Sequence, residues 1–234
     1  MARAFYDRSS LDLAVDLLGL WLLRREVDGS LSGGPIVETE AYDGPQDQAS
    51  HARFGRTSRN AVMFGPPGHA YVYLVYGMHY LLNVVSEGTG TPGAVLLRGI
   101  EVRRGGPSAR ARRGPLAAAR DPEAALGAGP ARLSQALAID RTLDGTDLAR
   151  PGPLWIGHPG PAALALARAA GLLVGPRIGM GRMEPEWALR PWRFGLPGSL
   201  GLSRPFPRGT SPQDFPLGLS DAAGDAHGRS LDDR

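Results

Sequence analysis

Residues 37–51 read VETEAYDGPQDQASH: they set two carboxylates, Glu38 and Glu40, two positions apart, follow them with Tyr42, and reach His51 across a polar loop. On a β-strand side chains alternate, so Glu38, Glu40 and Tyr42 share one face while Val37, Thr39 and Ala41 take the other. Carboxylates on a common surface suit general-base hydrolysis, in which an ionised oxygen takes a proton from water. An amphipathic strand whose polar face meets water has the same pattern, so alternation does not separate the two glutamates. Arg98 follows the apolar run AVLL and is the candidate partner. Across a sheet, its guanidinium would keep a carboxylate ionised and fix its rotamer, and the same contact is equally an ordinary structural ion pair.

Other chemistries are excluded by residue type. The chain has no cysteine and no lysine, all 26 of its basic Lys+Arg residues being arginine. Thiol nucleophiles, Cys-ligated metals, lysine Schiff bases and the P-loop lysine are therefore out. His51, His69, His79, His158 and His227 are scattered and never form HExxH, no GxSxG occurs, and the GMG of residues 179–181 lacks the third glycine of a dinucleotide fingerprint. No metal and no cofactor are expected.

The second concentration of chemistry is YVYLVYGMHY, which holds Tyr71, Tyr73, Tyr76 and Tyr80, four of the six tyrosines. Gly77 marks a tight turn, placing Tyr76 and Met78 at the tip of a hairpin and Tyr73 deeper along it. Tyr71 and Tyr80 read as ordinary strand fillers. Exposed large apolar groups at a tip need a reason. In a basic protein, an apolar wedge on a hairpin can enter a minor groove and fill the space left by an extruded nucleotide. Extrusion costs a few kcal/mol, and stacking on aromatic walls returns roughly 1–3 kcal/mol per base.

These residues need elements to position them. Ser9 or Ser10 caps a helix whose apolar positions Leu11, Val15, Leu18 and Trp21 recur at helical spacing. After the DGSLSGG turn, PIVETEAY reads as a strand, YVYLVYGMHYLLNVVS as two strands joined by a short turn, and GAVLLRGIEV as another. PARLSQALAID and PAALALARAAG are helical patterns that pack on the sheet, and residues 104–130 form a mobile surface segment with one short helix. Short strands in sequence with turn-sized connections predict an α+β domain built on an antiparallel sheet.

Length and charge complete the frame. The 234 residues, 42% hydrophobic and without a bilayer-length apolar run, fit one globular domain spanning residues 1–204. Residues 205–234, rich in proline and small polar residues, read as a disordered tail. Without that tail 23 arginines face 18 acids, a net +5, which suits a nucleic-acid partner. The start MARAFYDRSS lacks a secretory signal, so a cytoplasmic location is expected. Three functions remain compatible with these residues: a hydrolase acting on DNA bases, a noncatalytic damage- or RNA-binding module, and a hydrolase of free nucleosides using the two glutamates.

The blocks IVETEAYDGPQDQASHARFGRTSRNAVMF, GHAYVYLVYGMHYLLNVV, AVLLRGIE, GPARLSQALAID and GRMEPEWALRPWRF span most of residues 1–204. In them the chain resembles the alkyladenine, or methylpurine, DNA glycosylase family, mammalian-type enzymes also found in bacteria. The resemblance implies a compact α+β domain whose curved antiparallel sheet is flanked by helices and carries a β-hairpin that enters the DNA minor groove. Carried over by motif, Glu40 activates water for attack on C1′ of a flipped nucleotide and Arg98 helps hold that carboxylate and the water. Tyr42, His51 and Tyr73 form the base pocket, which Ala49 and Met78 also line. Asn83 crowds the 2-amino group of guanine, and Tyr76 is the intercalating wedge. The implied partner is double-stranded DNA containing 3-methyladenine, 7-methylguanine, hypoxanthine or ethenoadenine, met by a monomer in the cytoplasm at the nucleoid. Without lysine to open the sugar, the enzyme is expected to be monofunctional and to leave an abasic site. Two segments depart from the family pattern: the arginine- and glycine-rich residues 103–131, where a clearer helix is expected, and the tail.

Overall fold

Eight strands make one antiparallel sheet in the computed structural model, which describes residues 1–115 and 120–216. They are β1 (Trp21–Arg25), β2 (Leu31–Tyr42), β3 (Ala70–Val75), β4 (His79–Ser86), β5 (Gly93–Ile100), β6 (Leu154–Gly157), β7 (Leu173–Gly175) and β8 (Arg193–Gly195). The order is β3-β4-β5-β2-β1-β6, with β8 paired to β2 and β7 to β8. Among the described residues the α-helices are α1 (Ser10–Asp16), α2 (Gly106–Arg113), α3 (Pro130–Ala136), α4 (Pro161–Arg168) and α5 (Pro185–Ala188). The expected α+β domain with an antiparallel sheet is what the chain forms.

The long strand β2 organises the site. Its first half pairs with β1, and its second half is gripped on both edges, Glu38–Tyr42 against β5 and Glu38–Glu40 against β8. A register shift at Glu38 marks a bulge in the pairing with β5, the kind of irregularity that re-aims side chains near active sites. Strand alternation then holds as expected: Val37 and Ala41 enter the core, and Thr39 Oγ1 donates to the Ala14 carbonyl of α1 at 2.8 Å. Leu13, Leu17 and Leu18, with Leu82 and Leu97 of the sheet and Leu133 and Leu137 around α3, fill that core. Each such leucine contributes about 1.5–3 kcal/mol when buried.

Three local readings are corrected by packing. The first helix is capped by Ser9, whose Oγ accepts from Asp12 N at 3.1 Å, but it ends at Asp16, and Trp21 begins β1 instead of completing a helical face. The break is Gly19, with φ +86° and Leu164 Cδ1 2.8 Å from where a Cβ would stand. A short apolar run such as LLGLWLL fits either period and so serves two elements. Strand β2 begins at Leu31, inside the expected DGSLSGG turn. The segment expected to be mobile contains α2, which buries Gly106 and Ala109 and ties Arg112 Nη1 to Glu26 Oε1 at 2.9 Å.

Helix α3 packs on β4 and β5 as expected. Helix α4 instead covers the α1–β1 corner, where Arg168 Nε donates to the Leu18 carbonyl at 3.0 Å. Residues 205–216, assigned by composition to the tail, lie against the domain. Gln213 pairs with Leu172, and Arg193 stacks over Phe206 at 3.8 Å. Residues 217–234 lie outside the described residues, as do residues 116–119 of the arginine-rich segment.

Candidate active site

Glu38 and Glu40 are both fully buried, so the strand's polar face does not meet water. One guanidinium joins them: Arg98 Nε donates to Glu38 Oε1 at 3.1 Å, and its Nη1 lies 3.1 Å from Glu40 Oε2. The two carboxylates are otherwise unlike. Glu38 also receives Arg193 Nη1 at 3.1 Å, Ser203 Oγ at 2.8 Å and the Ser203 backbone N–H. With two arginines and both Ser203 donors, Glu38 is fixed as a structural anchor. Glu40 receives Tyr42 Oη at 3.0 Å on the oxygen facing Arg98, and the Ile178 N–H at 2.7 Å on Oε1. A carboxylate offers about four acceptor sites, and these three contacts leave one on Oε1.

Burial pushes the Glu40 carboxyl above the usual glutamate range; Arg98, the Ile178 N–H and the Tyr42 hydroxyl pull it down, and the Glu38 charge adds to the rise. The buried arginine and two neutral donors keep the ionised form within reach where burial alone would strongly disfavour it. Two glycines make the Glu38 anchor possible. A Cβ on Gly99 would sit 2.1 Å from the Gly201 carbonyl oxygen, and one on Gly201 would sit 2.6 Å from that of Ile100. Only without those carbons can the chain press onto β5 closely enough for Ser203 to reach Glu38.

Beside this pair, Tyr42, Ala49, His51, Met63, Tyr71, Tyr73, Asn83 and Ala94 line a narrow cleft. Its walls are aromatic: Tyr71 and Tyr73 stack with centroids 5.3 Å apart, and His51 meets Tyr73 edge-on at 4.6 Å. His51 Nδ1 is 2.9 Å from Tyr71 Oη. Burial, with Arg59 and Arg53 adding, holds the imidazole below its usual range, which favours its neutral form. Burial also pushes the Tyr73 phenol up to about 12, with Glu40 reinforcing it. The His51 loop is locked by Asn60, whose Nδ2 donates to the His51 and Gly55 carbonyls at 3.0 and 2.9 Å. Asn83 Nδ2 donates to the Tyr71 carbonyl at 3.2 Å, which fixes the plane of its amide at the cleft.

The β3–β4 hairpin turns at Tyr76 and Gly77, both in the left-handed region (φ 53° and 69°), closed by Met78 N–H to the Val75 carbonyl at 3.2 Å. Asn or Gly is the usual occupant of such a position. A tyrosine there, 86% exposed, carries strain of about 1–3 kcal/mol that a turn has no need of. Met78 is 69% exposed on the same tip and is not in the cleft wall, contrary to its expected place in the base pocket. Its neighbour Gly77 directs the chain outward there.

The structure thus brings together Glu40, Arg98, Tyr42, Ala49, His51, Tyr73 and Asn83, and sets Tyr76 and Met78 apart on the hairpin. Sequence reading missed Ile178, Arg193, Ser203, Arg177 and Asp47, which come from loops or distant strands. The only sequence signal for Ile178 was the neighbouring GMG, read simply as a turn. Among the described residues no three His, Cys, Asp or Glu side chains converge to hold a metal ion, and no helix is long and apolar enough to cross a membrane.

A family model described as methylpurine-DNA glycosylase matches residues 4–200. A protein of Streptomyces avermitilis, provisionally named a 3-methyladenine DNA glycosylase, is 46% identical over 196 residues, covering 83% of this chain and 86% of that protein. A Methanocella arvoryzae protein given the same provisional name is 45% identical over 194 residues, 83% of this chain and 90% of that one. The mouse DNA-3-methyladenine glycosylase is 44% identical over 206 residues, 85% of this chain but 60% of the longer mouse protein.

Proposed function

The chain belongs to the methylpurine-DNA glycosylase family and is a hydrolase of N-glycosyl bonds, and from that premise we propose that it flips damaged purine nucleotides out of duplex DNA and hydrolyses them with Glu40. The observation that carries this reading is the difference between the two buried carboxylates. Glu38 is held by four donors, whereas Glu40, joined through Oε2 to the cleft-lining Tyr42, keeps one acceptor site on Oε1. Water bound at that site gives its proton to Glu40 while its oxygen attacks C1′. The C1′–N bond breaks with its electrons leaving on the base, and the sugar retains a hydroxyl. A cationic alkylated purine departs as a neutral molecule and needs no acid; hypoxanthine, a neutral purine, needs a proton.

The cleft holds the base. Tyr42, Tyr73 and His51 supply aromatic contact worth roughly 1–3 kcal/mol per base. The backbone near Ala49 and the neutral imidazole hydrogen-bond the base edge. Tyr71 keeps its proton, since burial pushes its phenol far up; with that proton assigned to the contact with Nδ1, the neutral imidazole carries its own on Nε2. Absence of lysine limits the enzyme to a monofunctional reaction that leaves an abasic site, carried out as a monomer at the nucleoid.

The test is release of free base from duplexes carrying a single 7-methylguanine, hypoxanthine or ethenoadenine. Excision of alkylated and deaminated purines and retention of undamaged ones is expected; no release from any of them removes the reading. Asn83→Ser opens the space that crowds a 2-amino group, so removal of undamaged guanine should rise, measured as guanine released from plain duplex. An unchanged guanine background would reject that role. Tyr76→Ala should weaken excision from duplex more than from single strands, because a wedge replaces only a contact that the duplex has lost. Equal losses on both substrates would contradict the wedge.

A further inference from the structure

Arg177 and Asp47 are both wholly buried and form a two-pronged pair, Arg177 Nη2 donating to Asp47 Oδ1 at 2.9 Å and Nη1 to Oδ2. Neither lines the cleft or bonds to Glu40. Yet Asp47 is saturated: its Oδ1 also accepts from Ala49 N at 2.9 Å and its Oδ2 from Asp43 N at 3.2 Å. Arg177 Nη1 further donates to the Ala41 carbonyl at 3.0 Å, and the guanidinium lies over the Tyr42 ring at 4.8 Å and the Trp192 ring at 4.9 Å. The backbone N–H of its next residue, Ile178, donates to Glu40 Oε1.

The pair therefore ties three pieces together at one point. These are the loop of residues 43–51 that carries Ala49 and His51, the end of β2 that carries Tyr42, and the backbone that supplies a donor to Glu40. Resting on the glycosylase reading above, we infer that Arg177 and Asp47 are positioning residues that couple the base-holding loop to the Glu40 donor set. A surface ion pair would add little here. A planar fork buried against two rings, with every Asp47 acceptor filled, fixes these three segments to within the tolerance that catalysis requires. Misplacement by about 1 Å can cost of the order of 10²-fold in rate.

The coupling has a signature that loose packing lacks. The groups facing Glu40 are Arg98 from β5, Glu38 and Tyr42 from its own strand, Tyr73 from β3, and the Ile178 N–H. Arg193 lies opposite Glu40 on β8 but donates to Glu38 and to the Pro176, Arg204 and Pro205 carbonyls. If the pair is removed, the Ile178 N–H drifts from Oε1 while the other groups stay. The Glu40 carboxyl then rises further, because a donor to the charged form is lost.

The experiment measures single-turnover excision of 7-methylguanine, a base that needs no acid to leave, as a function of pH. It compares the parent with Arg177→Lys and the doubly substituted Asp47→Asn/Arg177→Met, which removes both charges and so strands neither. Cooperative melting and circular dichroism establish which variants fold, and Arg177→Lys gives the same readout should the double variant not fold. In a folded variant the maximal rate should fall by the order of 10²-fold for the double substitution and by less for lysine. The acid limb should move toward neutral pH, and duplex binding should change little. A folded variant with the parental rate, or with a uniform loss and an unmoved acid limb, overturns the inference. No release by the parent of 7-methylguanine, hypoxanthine or ethenoadenine would instead overturn the glycosylase reading itself.

Discussion

Arg98→Met should leave a protein that is both inactive and about 3–5 kcal/mol less stable in urea unfolding, the usual cost of stranding a buried charge. Among the described residues Arg98 is the one cation that touches both carboxylates, and its Nη2 also donates to Ser203 Oγ at 3.0 Å. Methionine fills the space and leaves Glu40 with only neutral donors. The deficit should depend on pH with a definite sign. The Glu40 carboxyl already sits above its usual range through burial, and Arg98 is the largest influence holding it down. A carboxyl whose folded value exceeds its unfolded one favours the fold while protonated, and that contribution disappears as pH rises through the folded value. Without Arg98 the folded value climbs further. The variant's deficit should therefore be smallest in acid and grow toward neutral pH. A deficit that is constant with pH, or absent, would mean that Arg98 does not hold the Glu40 charge.

Glu40→Gln should fold, bind a damaged duplex, and excise about 10²–10⁴-fold more slowly in single turnover, the range that general-base catalysis supplies. Glutamine matches the shape of glutamate and can still accept a hydrogen bond, so most of the site survives. The proton acceptor for water does not. Glu38→Gln separates chemistry from architecture, since it removes the charge faced by Arg98 and Arg193 together. Its main effect should be on stability, measured by the same urea titration. If Glu40→Gln were as active as the parent while Glu38→Gln was folded and dead, the two roles would have to be exchanged.

The parts of this site that could be read in the sequence are those carried by strand periodicity. Alternation placed Glu38, Glu40 and Tyr42 on one face, and Gly77 put Tyr76 at a tip, because both follow from local backbone geometry. The inequality of the two glutamates was not local. It is made by Ser203 and Ile178, 165 and 138 residues away, and by two glycines whose missing side chains let one segment lie on β5. Met78 was assigned to the pocket by family motif, and the left-handed turn at Tyr76 and Gly77 carries it to the hairpin tip. Composition misjudged residues 104–113, where arginine and glycine looked like a loose surface. Arg112 instead grips Glu26, and Gly106 permits close packing that a larger residue would prevent. It likewise placed the start of the tail too early, since Phe206 and Gln213 have partners in β8 and next to β7.

The most direct test of the account is a duplex carrying a single 3-methyladenine, incubated with the parent protein and divided in two, one half treated with alkali. Hydrolysis by an activated water predicts free 3-methyladenine in solution, an intact strand before alkali, and a break at the lesion after it. No freed base and no alkali-labile site would contradict the assignment of Glu40 as the base of a glycosylase, and a strand already broken before alkali would contradict a purely hydrolytic reaction.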